Sequence, residues 1–290
     1  MKGTGTGQIL MFSAGHLIFI AISFIMIIAG TVICCLRKPP LDRLLKIILI
    51  LAFFLEVFKM LDVLEIVPVV DPFVENGRII YKETGAYTAF LRTEHVPFEL
   101  CSMQVFFLFF AVFLREERWK KRFYSIIYGT AIIGGTLAIF LSSIAPEYES
   151  AVSFLSSPRA WEFFIYHSLI IIAALYIGIS KESDIHFKDC TWMFIAIALL
   201  DYSSFYMSAI CSVPVYQHGR LVGVQYAVNY FSSYNDPLGI SMPEKWMHLT
   251  YLAVRAAAAL VLIPLVYLPL FIRDRRERCG RDSQSEERKK

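Results

Sequence analysis

The sequence predicts an all-α polytopic membrane protein of seven transmembrane helices, with its N-terminus outside and its C-terminus in the cytoplasm. Three observations carry that reading: seven apolar runs, a composition that is 57% hydrophobic and 18% charged, and lysines and arginines that fall on alternate connections. An ordinary soluble domain has a smaller apolar share and a larger charged one, so the composition argues against a soluble core protein.

The runs cover residues 11–36, 44–63, 96–114, 123–142, 159–179, 190–211 and 246–272. A hydrocarbon core about 30 Å thick needs about 20 helical residues at 1.5 Å rise each, which makes the third run and the polar-tipped second the marginal ones. The first run lacks a small-residue cleavage site and ends Cys34-Cys35-Leu36-Arg37, so it reads as a retained helix rather than a secretory signal.

Orientation follows from the connections. Residues 37–43 carry Arg37, Lys38 and Arg43; residues 115–122 carry Arg115, Arg118, Lys120, Lys121 and Arg122; the segment after 272 opens Arg273, Arg275, Arg276, Arg278. These face the cytoplasm by the positive-inside rule. The longer connections 64–95, 143–158 and 212–245 are poor in Lys and Arg and lie outside or in a lumen. Residues 1–272 form one bundle, and 273–290 form a charged cytoplasmic tail expected to be disordered near lipid headgroups. No P-loop, dinucleotide fingerprint or nucleic-acid-binding pattern occurs, so the expected partner is the bilayer. The setting is the plasma membrane in a bacterium or an endomembrane in a eukaryote.

Topology gives each intramembrane polar group a depth, and such groups face protein or water because lipid charges each at least about 2.5 kcal/mol on insertion scales. His16, Glu56, Lys59, Asp62, Glu99, Cys101, Glu162, His167, Asp201, His248 and Arg255 fall in the outer half or near the middle. A polar cavity opening toward the outer leaflet is expected. Glu56, Lys59 and Asp62 stand at i, i+3, i+6 and can form an internal ion ladder. The functional alternative is that Lys59 or Arg255 holds an anionic headgroup.

Cys101 in the third run and His167 in the fifth share a depth, roughly 7 Å and 12 Å below the same surface at 1.5 Å per residue. A thiol and an imidazole at one level are the minimum for covalent acyl transfer, since the imidazole can take the thiol proton and the thiolate can attack an ester carbonyl. The bland readings are a buried cysteine, a structural histidine, or a disulfide between Cys101 and Cys211, the two cysteines toward the oxidising side. A metal site from His16, His95, Glu99 and His167 has no supporting ligand spacing, and no cofactor is expected.

The segment Pro97-Phe98-Glu99-Leu100-Cys101-Ser102, the pair Tyr166-His167, and Val228-Asn229-Tyr230-Phe231 followed by Pro237 resemble the YwaF-like integral membrane family. An animal relative, transmembrane protein 164, is regarded as a cysteine-dependent phospholipid acyltransferase. The resemblance spans roughly residues 45 to 270 and implies that Cys101, His167 and Asn229 match the family's cysteine, histidine and loop asparagine. Where family members often carry a histidine beside or two residues before the cysteine, this chain has Glu99, about 200° around a helix from Cys101.

The expected function is therefore acyl transfer, or acyl-ester hydrolysis, on a membrane phospholipid. Cys101 is the nucleophile and His167 the base, with Asn229 or a tyrosine hydroxyl such as that of Tyr166 at the oxyanion. Arg255, Lys59 and Glu56 complete the substrate-binding candidates. A small-solute or ion transporter, or a seven-helix receptor, using the same polar cluster is the alternative.

Overall fold

The computed structural model describes residues 12–75, 78–91, 100–142, 150–217, 220–226 and 244–287. The chain is mostly helical. Helix α1 (Ala14–Arg37) ends where Lys38 turns left-handed and its N–H closes on the Cys34 carbonyl at 2.8 Å, and Pro39-Pro40 then prevents continuation. Helix α2 (Leu41–Asp62) follows at once. After a hairpin, β1 (Glu65–Glu75) and β2 (Arg78–Phe90), come α3 (Met103–Phe113), α4 (Glu117–Phe140), the short α5 (Ala151–Ser156) and α6 (Pro158–Ile179). Two single 3₁₀ turns lead into α7 (Cys190–Ile210), a second hairpin of β3 (Ser212–Gln217) and β4 (Arg220–Tyr226), and α8 (Glu244–Glu287).

Among the described residues, five helices are long and apolar enough to cross a membrane: α1, α4, α6, the helix ending at Ile210, and the Ala253–Cys279 part of α8. The other two expected spans form helices of a different kind. Helix α2 has 22 residues, roughly 33 Å of rise, but Asp42, Arg43 and Lys46 crowd one end and Glu56, Lys59 and Asp62 the other. Helix α3 has 11 residues, roughly 16 Å. Cys101 and Ser102 lie in the turn before α3 rather than inside a helix.

The all-α expectation needs correction in two connections. β1 pairs antiparallel with β2 from Glu65↔Phe90 to Glu75↔Arg78, and β3 with β4 from Ser212↔Tyr226 to Gln217↔Arg220. The strands are rich in Val, Ile, Tyr and Thr, residues that suit a pleated surface better than a helix. The backbone of residues 273–287, expected to be disordered, continues α8 as helix.

Helix α6 is the centre of the bundle. It packs against α1, α2, α4 and α5, while α4 also meets α3, α7 and α8. The apolar window of α6 is 72% buried, against 22% for α1 and 17% for α8, so α1 and α8 present most of their side chains outward. Ile25, Ile28 and Ile33 on α1 and Leu260, Val261 and Leu265 on α8 are exposed apolar residues, a surface that lipid covers at no penalty and water does not.

Polar ties close the end of the bundle where α8 meets the α6–α7 connection. Arg273 donates to the carbonyls of Gly178, at 3.1 Å, and Ile185; the Tyr176 hydroxyl donates to Pro39 O at 2.6 Å; and Asp274 accepts from His186 Nδ1 at 3.0 Å and from the Phe187 N–H at 3.1 Å. His16 is satisfied within the protein. Its Nδ1 accepts from the Phe12 N–H at 3.0 Å and its Nε2 donates to Ile139 O at 2.9 Å, clipping α1 to α4.

Candidate functional site

The position of Tyr166 and His167 is set at the start of α6. Ser157 caps the helix by accepting from the Ala160 N–H, and Pro158 occupies the first turn, where its missing N–H has no consequence. Tyr166 and His167 then lie about two turns in, both buried. His167 Nδ1 donates to the Phe163 carbonyl, four residues back, at 2.6 Å. In the neutral imidazole this tautomer leaves the lone pair on Nε2. The ring lies 4.3 Å from that of Phe163 and 5.3 Å from that of Tyr166, centroid to centroid.

Tyr166 reaches the turn before α3. Its hydroxyl donates to the Cys101 carbonyl at 2.6 Å, and the same carbonyl accepts the Gln104 N–H at 3.0 Å. Lys59 of α2 reaches the same turn and donates to Ser102 Oγ at 3.1 Å, while also pairing with Glu56 at 3.1 Å. The Glu56–Lys59 half of the expected ladder thus exists, and it leans on the residue beside the thiol. Gln104 donates to Thr130 Oγ1 at 2.9 Å, fastening the first turn of α3 to α4.

Two consecutive glycines of α4 let these pieces approach. A Cβ on Gly134 would lie 3.2 Å from Leu100 Cδ2 and 3.6 Å from Cys101 Sγ; one on Gly135 would lie 2.8 Å from Ile171 Cγ1 and 3.5 Å from the His167 carbonyl. Neighbouring helical residues point about 100° apart, so the pair opens α4 toward α3 on one side and α6 on the other at a single level. Sequence reading missed Gly134-Gly135, Ser102 and Gln104. The glycine doublet inside an apolar helix was the available signal, because glycine there is unfavourable by about 1 kcal/mol relative to alanine unless close packing requires it.

The remaining expected residues sit elsewhere. Arg255 of α8 is ion-paired with Asp201 of α7 at 2.9 Å, on the α7–α8 side of the bundle. Asn229, with His95 and Glu99, lies outside the described residues. None of the six cysteines is disulfide-bonded, which removes the Cys101–Cys211 bridge. Among the described residues no group of three or more His, Cys, Asp or Glu side chains stands together as a metal site. Between them α2 and α3 flank an open apolar groove of about 550 Å³, whose lining includes none of these polar residues.

The fold, with its lipid-facing apolar helices and polar groups gathered at the α2, α3, α4 and α6 contacts, defines an integral multi-pass membrane protein. The chain belongs to the TMEM164 family, whose model matches residues 11–268. No curated protein and no solved structure matches it.

Proposed function

We propose that this chain is a membrane-embedded acyltransferase, or acyl-ester hydrolase, acting on phospholipid in a cavity open to the outer leaflet. The observation that carries the reading is the Tyr166–Cys101 hydrogen bond, which ties the residue beside the base to the residue bearing the thiol. Cys101 stands at the N-terminus of α3, where the helix dipole favours negative charge, and His167 presents Nε2 as its proton acceptor.

The reaction runs in two halves. His167 takes the Cys101 proton, the sulfur attacks the ester carbonyl carbon, and Asn229 stabilises the oxyanion. The ester C–O bond then breaks, the lysophospholipid hydroxyl leaves with the proton from His167, and a thioester remains on Cys101. An acceptor hydroxyl, or water in hydrolysis, gives its proton to His167 and attacks the thioester carbonyl; the C–S bond breaks, the acyl group leaves on the acceptor oxygen, and His167 returns the proton to the Cys101 sulfur. Tyr166 positions the cysteine. The Glu56–Lys59 pair steadies the turn, and Lys59 attracts an anionic headgroup.

In this reading α2 and the α3 region complete a seven-span bundle, N-terminus outside. The pairing of Lys59 with Glu56 and of Lys46 with Asp42, at 2.6 Å, lowers the charge α2 must carry through or along the membrane. The test is turnover of labelled phospholipid by the protein reconstituted in nanodiscs. Cys101→Ala and His167→Ala should each abolish it with thermal stability nearly unchanged, and Cys101→Ser should be almost as inactive because a hydroxyl is the poorer nucleophile. Full turnover by Cys101→Ala overturns the proposal.

A further inference from the structure

Helix α8 continues past the apolar segment, which ends at Ile272, and Phe271, Asp274, Arg275 and Arg278 stand at i, i+3, i+4 and i+7, on one face of it. That face meets the turn Phe187–Asp189. The Phe271 ring lies 5.2 Å from that of Phe187, and both Asp274 oxygens are taken, one by His186 Nδ1 and the other by the Phe187 N–H. Between the turn and the helix is a cavity of about 390 Å³ that the reaction above does not use. It stands at the far end of α6 from the histidine: Arg273 ties this end to the Gly178 carbonyl, roughly 16 Å of helix rise beyond His167.

The cavity is basic. With Asp274 occupied by its two donors, Lys188, Arg275 and Arg278 line the space against one further carboxylate, Glu277. Among the described residues Lys188 and Arg278 have no carboxylate within ion-pair distance, and the Arg275 guanidinium lies 5.1 Å over the Phe271 ring, which attracts the cation without using its N–H donors. Two guanidinium groups and an ammonium around one space suit a phosphate, whose oxygens accept from several charged donors at once. Position says where that phosphate comes from. The headgroup layer adds about 5–7 Å on each side of the hydrocarbon. Arg275 and Arg278 lie roughly 4.5 Å and 9 Å of helix rise beyond Ile272, in that layer and at its outer edge, with the Phe271 ring on the hydrocarbon side.

We infer that this cavity binds the phosphate of an anionic membrane lipid in the leaflet where α8 leaves the hydrocarbon, with Arg275 and Arg278 on one wall and Lys188 on the other. The site is separate from the acyl-transfer reading and stands or falls without it. A lipid bound there bridges α8 to the α6–α7 connection, beside the His186–Asp274 contact that already joins them. A soluble phosphate offers the same oxygens, but a lipid is delivered to this depth by the bilayer itself, whose anionic surface draws the basic end of α8 toward it.

The experiment titrates the full chain in detergent with phosphatidic acid and reads bound lipid by native mass spectrometry, with phosphatidylcholine as the zwitterionic comparison. Arg275→Gln and Arg278→Gln should each weaken retention of phosphatidic acid at least about tenfold, since each removes charge-assisted hydrogen bonds. Lys188→Gln, on the other wall, should weaken it as well. Arg276→Gln removes the same charge from an exposed position of the same helix outside the cavity and should leave binding unchanged. Lys188, Arg275 and Arg278 are exposed too, so melting without lipid should be the same in every variant. Equal losses in Arg276→Gln and Arg278→Gln overturn the site in favour of a diffuse basic surface, and equal retention of phosphatidylcholine overturns its preference for an anion. Displacement of phosphatidic acid by inorganic phosphate at the same concentration assigns the cavity to a soluble anion and overturns the lipid.

Discussion

The Tyr166 hydroxyl donates to the Cys101 carbonyl across 2.6 Å, joining the middle of α6 to the turn that opens α3. Removing it leaves the carbonyl to the Gln104 N–H and loosens the turn that carries the thiol. Tyr166→Phe should therefore destabilise the protein by about 1 kcal/mol. The same variant should change the rate at which a small thiol reagent modifies Cys101. Thermal unfolding in detergent and a timed alkylation check the two effects, and unchanged values in both contradict the positioning role.

The glycine doublet separates packing from site geometry. Gly135→Ala places a methyl 2.8 Å from Ile171 Cγ1 in the packed α4–α6 contact, so overpacking of about 1–3 kcal/mol exceeds or cancels the helix-propensity gain of about 1 kcal/mol. Gly134→Ala meets its nearest atom at 3.2 Å, the end of the Leu100 side chain, and should be close to neutral in stability. Its methyl lies beside Cys101 Sγ and should slow acyl transfer more than it lowers the melting temperature. Paired melting and turnover measurements on the two variants test the contrast.

Orientation is checked by cysteine scanning in sealed, oriented vesicles. Single cysteines placed in residues 64–95 and 212–245 should react with an impermeant maleimide from one side, and those in 115–122 from the other. Labelling of 115–122 and 212–245 from the same side contradicts the seven-span reading.

A pH effect is expected at the α6–α7 connection. Asp184 accepts from Lys121 at 2.8 Å, and that hydrogen bond, aided by the Lys121 and His186 charges, holds its carboxyl below the ordinary value. A depressed carboxylate contributes stability that is present above the ordinary pKa, about 3.9, and is lost as pH falls through the lower folded value. Because the Asp184 side chain is 70% exposed, the contribution is small. Asp184→Asn should melt slightly below the native protein at pH 7, and the difference should begin to shrink near the ordinary pKa of about 3.9 and vanish only below the lower folded value.

Much of the fold was legible because a lipid solvent simplifies the code. The apolar runs at 11–36, 123–142, 159–179, 190–211 and 246–272 correspond to the five spans that length and composition support. The charge pattern that orients the spans says nothing of strand pairing in the connections. Yet Asn76-Gly77 falls between two segments rich in β-branched residues, the strongest short hairpin signal a sequence carries. Helix α2 is marginal because its charges lower its mean hydropathy; the i, i+3 spacing already pairs Glu56 with Lys59, while the reach of Lys59 to Ser102 is visible only in three dimensions.

At the cluster, helical rise alone put Cys101 and His167 at one depth. Rotation about each helix axis and the close approach at Gly134-Gly135 are inter-helix properties, which periodicity in one sequence does not encode. The same holds for Arg255: its depth was readable, but not that Asp201 would take its guanidinium and hold it on the α7–α8 side.

The central claim is that Cys101 carries an acyl group during turnover. The native protein incubated with isotopically labelled phospholipid, quenched in acid and analysed by peptide mass spectrometry tests it most directly. The predicted result is a labelled acyl thioester on the peptide containing Cys101, removed by neutral hydroxylamine and lost in His167→Ala. Turnover of the lipid without any adduct on Cys101, and with activity retained in Cys101→Ala, contradicts the account.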